Sequence, residues 1–123
     1  MTVRVLIVDD QEPFRAVARE VVEAAGDFEV VGEAESGEES VDLARSLHPD
    51  LVLMDVNLPG IDGPEATKRI LAAAGGTKVL LLSTYEEDEY TERATECGAF
   101  GYVPKSAFDP DRLAEEWAAA ANG

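Results

Sequence analysis

The sequence contains one cysteine, Cys97, so no internal disulfide can form, and the opening MTVRVLIVDD lacks the basic flank and long apolar core of a signal peptide. The cytoplasm is the expected compartment. No apolar run approaches the roughly 20 residues that cross a bilayer, so no membrane span is expected. Positive charge is also scarce: 10 Lys and Arg stand against 26 Asp and Glu, a formal net charge of -16. Such a surface repels phosphate backbones and anionic headgroups, which argues against direct binding to nucleic acid or membrane; basic protein patches or cations suit it better. Glycine is missing from the loop after the first apolar run, which reads DDQEPF from Asp9. A phosphate cradle for a flavin or nucleotide needs glycine and free backbone N–H groups there.

What is present is the pattern of one folded domain. The chain has 123 residues, 46% of them hydrophobic, with its charges interspersed, so it is long enough to enclose a core and is not disordered. No linker, internal repeat or low-complexity tract interrupts it. Short apolar runs at 3–8, 28–34, 51–54, 79–82 and 100–103 alternate with helix-period segments at 13–25, 38–47, 64–74, 86–97 and 109–121. The runs at 3–8, 51–54 and 79–82 are apolar at nearly every residue, as strands covered on both faces require. Parallel strands with right-handed helical crossovers follow, giving an α/β, doubly wound sheet of five strands and five helices. In the first helix Phe14, Val17, Ala18, Val21, Val22 and Ala25 fall on one side, and Arg15, Arg19, Glu20 and Glu23 on the other. Pro13 suits its first turn and Gly26 its stop.

In such a sheet ligands bind at the carboxyl ends of the strands. The first strand ends in Asp9 and Asp10, the third in Asp55, the fourth in Ser83 and Thr84, and the fifth runs through Tyr102 and Pro104 into Lys105. Three carboxylates so close repel one another by about 4 kcal/mol per pair at 4 Å and an effective dielectric near 20. A hard divalent cation such as Mg²⁺ suits the all-oxygen set, and Lys105 and Ser83 can meet an incoming anion. A carboxylate beside them is a candidate nucleophile toward phosphorus. Asp55, alone at its strand end, is that candidate, and Asp9 and Asp10 are the better-placed metal pair.

VDD at Val8 to Asp10, LMDVNLPGIDG at Leu53 to Gly63, LLST at Leu81 to Thr84 and GYVPKS at Gly101 to Ser106 together resemble the receiver domain of bacterial two-component response regulators. The likeness covers essentially residues 1–123 as a single receiver, without an output domain. It implies a flavodoxin-like sheet of strand order 2-1-3-4-5. It further implies that Asp55 accepts a phosphoryl group from a phosphohistidine on a sensor histidine kinase. Asp10, Asp55 and the backbone carbonyl of Asn57 would ligate Mg²⁺, with Asp9 holding its water shell. Ser83 would hydrogen-bond the phosphate, Lys105 would pair with it, and Tyr102 would turn inward as Ser83 moves. Water attack on the acyl phosphate would reset the switch, so the domain would catalyse only its own phosphorylation and dephosphorylation. STYEEDEY and AFGYVPKSAF look most like the branch whose receivers precede a LuxR-type helix-turn-helix. That implies such an output domain or a separate partner protein, and a phosphorylation-dependent homodimer. Two positions depart from the pattern. Ser106 follows Lys105 where the family commonly has proline, often through a cis bond, and Tyr85 stands where side chains modulate water access.

Plainer roles exist for each residue taken singly. Asp9 and Asp10 can be a solvated strand end or a helix cap, and Asp55, Asn57, Pro59 and Gly60 ordinary turn chemistry. Ser83 and Thr84 can cap the helix near Glu86, Lys105 can lie at the surface, and Tyr102 can be partly buried with its hydroxyl in water. It is their arrival together at the strand ends that outweighs these readings. His48 before Pro49 reads as a solvated capping residue, Cys97 before Gly98 as a packing residue, and Trp117 with Leu113 and Ala120 as a core face. The acidic run 86–89 reads as a solvated helix start. Rival functions are a haloacid-dehalogenase-type phosphatase, which needs a second carboxylate where Asn57 stands, and a receiver-like module that is never phosphorylated.

Overall fold

Leu51–Asp55 and Lys78–Ser83 carry large apolar side chains on both of their faces, and strands of this kind have no solvent-facing side to offer. They form the middle of the fold. The structure, a computed structural model, describes residues 2–73, 76–84 and 96–122. Five strands, β1 (Val3–Val8), β2 (Phe28–Ala34), β3 (Leu51–Asp55), β4 (Lys78–Ser83) and β5 (Gly101–Pro104), pair in the order β2-β1-β3-β4-β5. Every pairing is parallel. The described helices are α1 (Glu12–Ala24), α2 (Gly37–Leu47), α3 (Gly63–Ala73) and α4 (Pro110–Asn122), with a 3₁₀ turn at Lys105–Ala107. The helix expected over 86–97 lies outside the described residues except for Glu96 and Cys97, which are helical. Tyr85 and the acidic run 86–89 also lie outside them. Among the described residues no helix is long and apolar enough to cross a membrane.

Successive strand residues point to opposite faces, so each central strand feeds two cores. Leu6, Val8, Val52, Met54, Val79, Leu81 and Tyr102 pack on one face with residues of α2 and α3. Val5, Ile7, Leu51, Leu53, Leu80, Leu82 and Val103 pack on the other with residues of α1 and α4. Cys97 is buried in the first core. In the second, Trp117 is partly buried and meets Phe28 and Phe100 edge-on.

Helix boundaries follow local chemistry. α2 starts behind Ser36, whose hydroxyl accepts the Glu39 N–H at 3.1 Å, and it ends at His48, an exposed left-handed residue before Pro49. Pro13 occupies the first turn of α1, where its missing N–H costs nothing.

The face assignment of α1 needs two corrections. Arg15, expected outside, is only 7% exposed, and Val17, expected inside, is 47% exposed. Arg15 lies three and seven residues before the buried Ala18 and Val22, so the helical period carries it over the core despite its charge. Its guanidinium reaches the Asp9 carbonyl oxygen at 2.7 Å.

The loop from β3 to α3 closes on itself through a bond of 2.9 Å from the Gly63 N–H to the Val56 carbonyl. A Cβ on Gly63 would overlap the Asp55 carbonyl oxygen and stand 2.9 Å from the Val56 Cα. Both obstacles are backbone, so Gly63→Ala must push the end of β3 aside. The expected cost is about 2 kcal/mol, within the range for overpacking, read as a lowered urea midpoint. An unchanged midpoint would show that the loop yields freely.

Candidate functional site

Four strand ends deliver the candidate residues to one edge. The Asp9 N–H continues the β1–β2 ladder onto the Ala34 carbonyl at 3.1 Å, while its carboxylate turns back to accept the Gln11 N–H at 2.8 Å. Asp9 is 1% exposed, whereas Asp10 beside it is exposed. Asp55 closes β3 and is 5% exposed. The β3–β4 ladder runs one residue further, through the Val56 N–H to Leu82 carbonyl bond of 3.0 Å, so the backbone on both sides of Asp55 is fixed. Its Oδ1 accepts the Asn57 N–H at 3.3 Å. Ser83, fully buried, ends β4 in register with Pro104, the residue before Lys105. The strand pairing therefore sets Ser83 and Lys105 side by side in the sequence of the edge.

The Lys105 ammonium lies 2.7 Å from Asp9 Oδ2 and 3.6 Å from Asp55 Oδ2. One oxygen from each of Asp9, Asp10 and Asp55 lies within 4.8 Å of the other two. A single ammonium faces three carboxylates, so the cluster keeps an excess of negative charge. Asp9 Oδ2 is buried and makes no hydrogen bond of good geometry, although the ammonium is close by. The donors are all oxygen, with no imidazole or thiolate among them, and a hard cation is what such a set accepts. A cleft of about 240 Å³ opens onto the cluster, lined by Asp10, Gln11, Asp55, Asn57, Thr84 and Lys105.

Burial pushes the Asp55 carboxyl up from its ordinary 3.8 to about 6, and the Asp9 charge adds to the rise. Lys105 and the Asn57 N–H oppose it, and Asp10 reinforces it. In the metal-free protein the ionised form of Asp55 is thus held at a cost.

Asp9, Asp10, Asp55, Asn57 and Lys105, all named from the sequence, meet here. The Lys105–Ser106 peptide is trans, as are all described peptides. Tyr102 differs from the plainer reading of its sequence: it is 5% exposed and packed in the α2–α3 core, because its register partner Leu81 faces the same way. Sequence reasoning missed Gln11, which supports Asp9; Arg15, which holds the Asp9 carbonyl; and Phe14, whose ring lies 4.5 Å from the Lys105 ammonium. Helical spacing carried a signal for Arg15 alone.

The chain matches the family model described as response regulator receiver domain over residues 5–118. It is 44% identical over 105 residues to the response regulator GacA of Pseudomonas viridiflava, covering 85% of this chain and 49% of that protein. The DegU transcriptional regulatory protein of Brevibacillus brevis is 35% identical over 121 residues, 98% of this chain and 51% of its own length. The chain spans about half the length of the curated relatives it matches. Among solved structures, a LuxR-family response regulator from an Aurantimonas species superposes with a TM-score of 0.88 at 36% identity, over 98% of this chain and 85% of the other. With the sheet order, the strand-end cluster and these likenesses in agreement, the chain belongs to the response regulator receiver domain family of two-component systems.

Proposed function

We propose that Asp55 is the phosphoryl acceptor, taking its phosphoryl group from a phosphohistidine on a sensor histidine kinase. The observation that carries this reading is the convergence of Asp9, Asp10 and Asp55 within 4.8 Å, with the Lys105 ammonium 3.6 Å from Asp55 Oδ2. Above about pH 6 Asp55 is ionised. Its carboxylate oxygen attacks phosphorus, an O–P bond forms, and the N–P bond breaks with its electron pair returning to the imidazole, which takes up a proton. Lys105 pairs with the equatorial oxygens and Ser83 donates a hydrogen bond to them. Mg²⁺ held by Asp10, Asp55 and the Asn57 carbonyl, with Asp9 on its water shell, would neutralise charge on the transferring group. Water attack on the acyl phosphate reverses the modification.

The readout is a shift between two packings in which Tyr102 turns inward as Ser83 moves toward the new phosphate. The output is a LuxR-type helix-turn-helix in the full-length protein or a separate partner, with a homodimer of phosphorylated receivers and a cytoplasmic location. The half-length coverage of GacA and DegU supports an attached output domain.

Acetyl phosphate with Mg²⁺ is expected to add one phosphoryl group by intact mass, labile to hydroxylamine as an acyl phosphate is. Multiple-turnover hydrolysis of small phosphomonoesters would support a phosphatase instead.

A second expectation follows from the raised Asp55 carboxyl. The native state holds that proton more tightly than the unfolded chain does, so its contribution to stability is full below pH 3.8 and fades as pH rises through about 6. Above that, ionised Asp55 destabilises the metal-free fold. A metal ion bound there competes with the proton and relieves the repulsion, so the stabilisation by Mg²⁺ at about ten times its pH 8 Kd, about 1.4 kcal/mol by linkage and read as a rise in melting temperature, should shrink sharply at pH 5 at the same Mg²⁺ concentration. Equal shifts at the two pH values would remove Asp55 from the metal site.

A further inference from the structure

Lys105 is held from behind as well as from in front. Its ammonium lies over the ring of Phe14 in α1, 4.5 Å from the centroid, as well as 3.6 Å from Asp55 Oδ2. Its side chain is 11% exposed, and a cation over an aromatic face gains most where water is excluded. Phe14 in turn touches Phe108, with ring centroids 6.4 Å apart at a tilt of 42°. Phe108 closes the 3₁₀ turn by donating its N–H to the Lys105 carbonyl at 3.3 Å and is buried in the α1–α4 core. The aromatic pair thus grips both ends of Lys105: Phe108 the backbone, Phe14 the charge.

We propose that Phe14 is a positioning residue for the reaction, holding the Lys105 ammonium at the cleft through its ring face. The physical advantage is in the donors. A carboxylate beside an ammonium offers lone pairs to its N–H donors and competes with an incoming anion, and Asp9 Oδ2 stands 2.7 Å from it. A ring face attracts the cation through its quadrupole and leaves the remaining N–H bonds free for the oxygens of an anion at Asp55. Phe14 touches no reacting atom and acts only through Lys105. A core role alone would need apolar volume at position 14, which leucine supplies, and would not need a π face.

The catalytic consequence rests on the reading of Asp55 as acceptor, so the test has two arms. In the first, urea melts of metal-free wild type, Phe14→Leu, Lys105→Met and the double variant form a cycle. The midpoint loss caused by Phe14→Leu should be clearly smaller in the Lys105→Met background, and Phe14→Tyr should behave as wild type. Additive losses would overturn the interaction, and this arm does not depend on phosphorylation. In the second, Phe14→Leu should take up phosphate from acetyl phosphate roughly fivefold more slowly at saturating Mg²⁺, with an unaltered Mg²⁺ dependence, and Phe14→Tyr should restore the rate. Equal rates for Leu and Phe, or equal losses for Leu and Tyr, would overturn the positioning role. Wild type that takes no phosphate would refute the Asp55 reading and the catalytic role of Phe14 with it, while the cycle would still decide the ring contact.

Discussion

Asp55→Asn is expected to abolish phosphoryl uptake from acetyl phosphate and Mg²⁺ while leaving the protein folded. The amide is nearly isosteric but lacks a nucleophilic oxyanion, and no other described carboxylate occupies its position: Asp9 is 1% exposed with one oxygen on Lys105 and the other on the Gln11 N–H. The substitution should also stabilise the metal-free protein at pH 8. Raising the carboxyl from 3.8 to about 6 corresponds to on the order of 2 kcal/mol of disfavoured charge after allowance for the open side of the cleft. An uncharged side chain escapes that cost, and its gain should vanish below pH 4. Undiminished uptake in the Asn variant, seen by intact mass, would place the acceptor elsewhere.

Arg15→Ala is expected to lower stability by about 2 kcal/mol, from a buried carbonyl left without its donor and from space opened beside the core. The guanidinium donates to the Asp9 carbonyl at 2.7 Å and to Glu12 at 2.7 Å, and it lies 3.3 and 3.4 Å from Glu33 and Glu35. Its loss leaves a buried carbonyl without that donor, gathers like charges around the gap, and opens space beside Ala18 and Val22. Arg19 is the control. It also pairs with Glu33 and Glu12, at 2.7 and 3.4 Å, but with its side chain 36% exposed, so Arg19→Ala should cost a small fraction as much. Because Arg15 fixes the residue that delivers the Asp9 carboxylate, the Ala variant should also bind Mg²⁺ more weakly. Chemical melts of the two variants with and without Mg²⁺ check both statements; equal losses for Arg15 and Arg19 would show that burial is not what decides.

The contrast between these arginines marks what the sequence could reveal. The strands were legible because full coverage leaves no polar positions, and once the strands were placed, Asp9, Asp10, Asp55, Ser83 and Lys105 fell at one edge through topology alone. Tyr102 was harder: its burial depends on the β4–β5 register that aligns it with Leu81. Polarity alone puts Arg15 outside and Val17 inside, but an arginine with a carbonyl and several carboxylates within reach overrides polarity. Phe14 looked like core for a good reason, since it is core on one side. Its contact with Lys105 comes from elements about 90 residues apart, and nothing in local spacing encodes it.

Among the described residues the two apolar clusters share no side chain, and the backbone of the sheet lies between them. Tyr102 belongs to one and its neighbour Val103 to the other, just upstream of Lys105. A truncation in one apolar layer is therefore expected to leave the packing of the other in place, so losses from one change on each side should add. The sheet works as a partition between two separately packed layers.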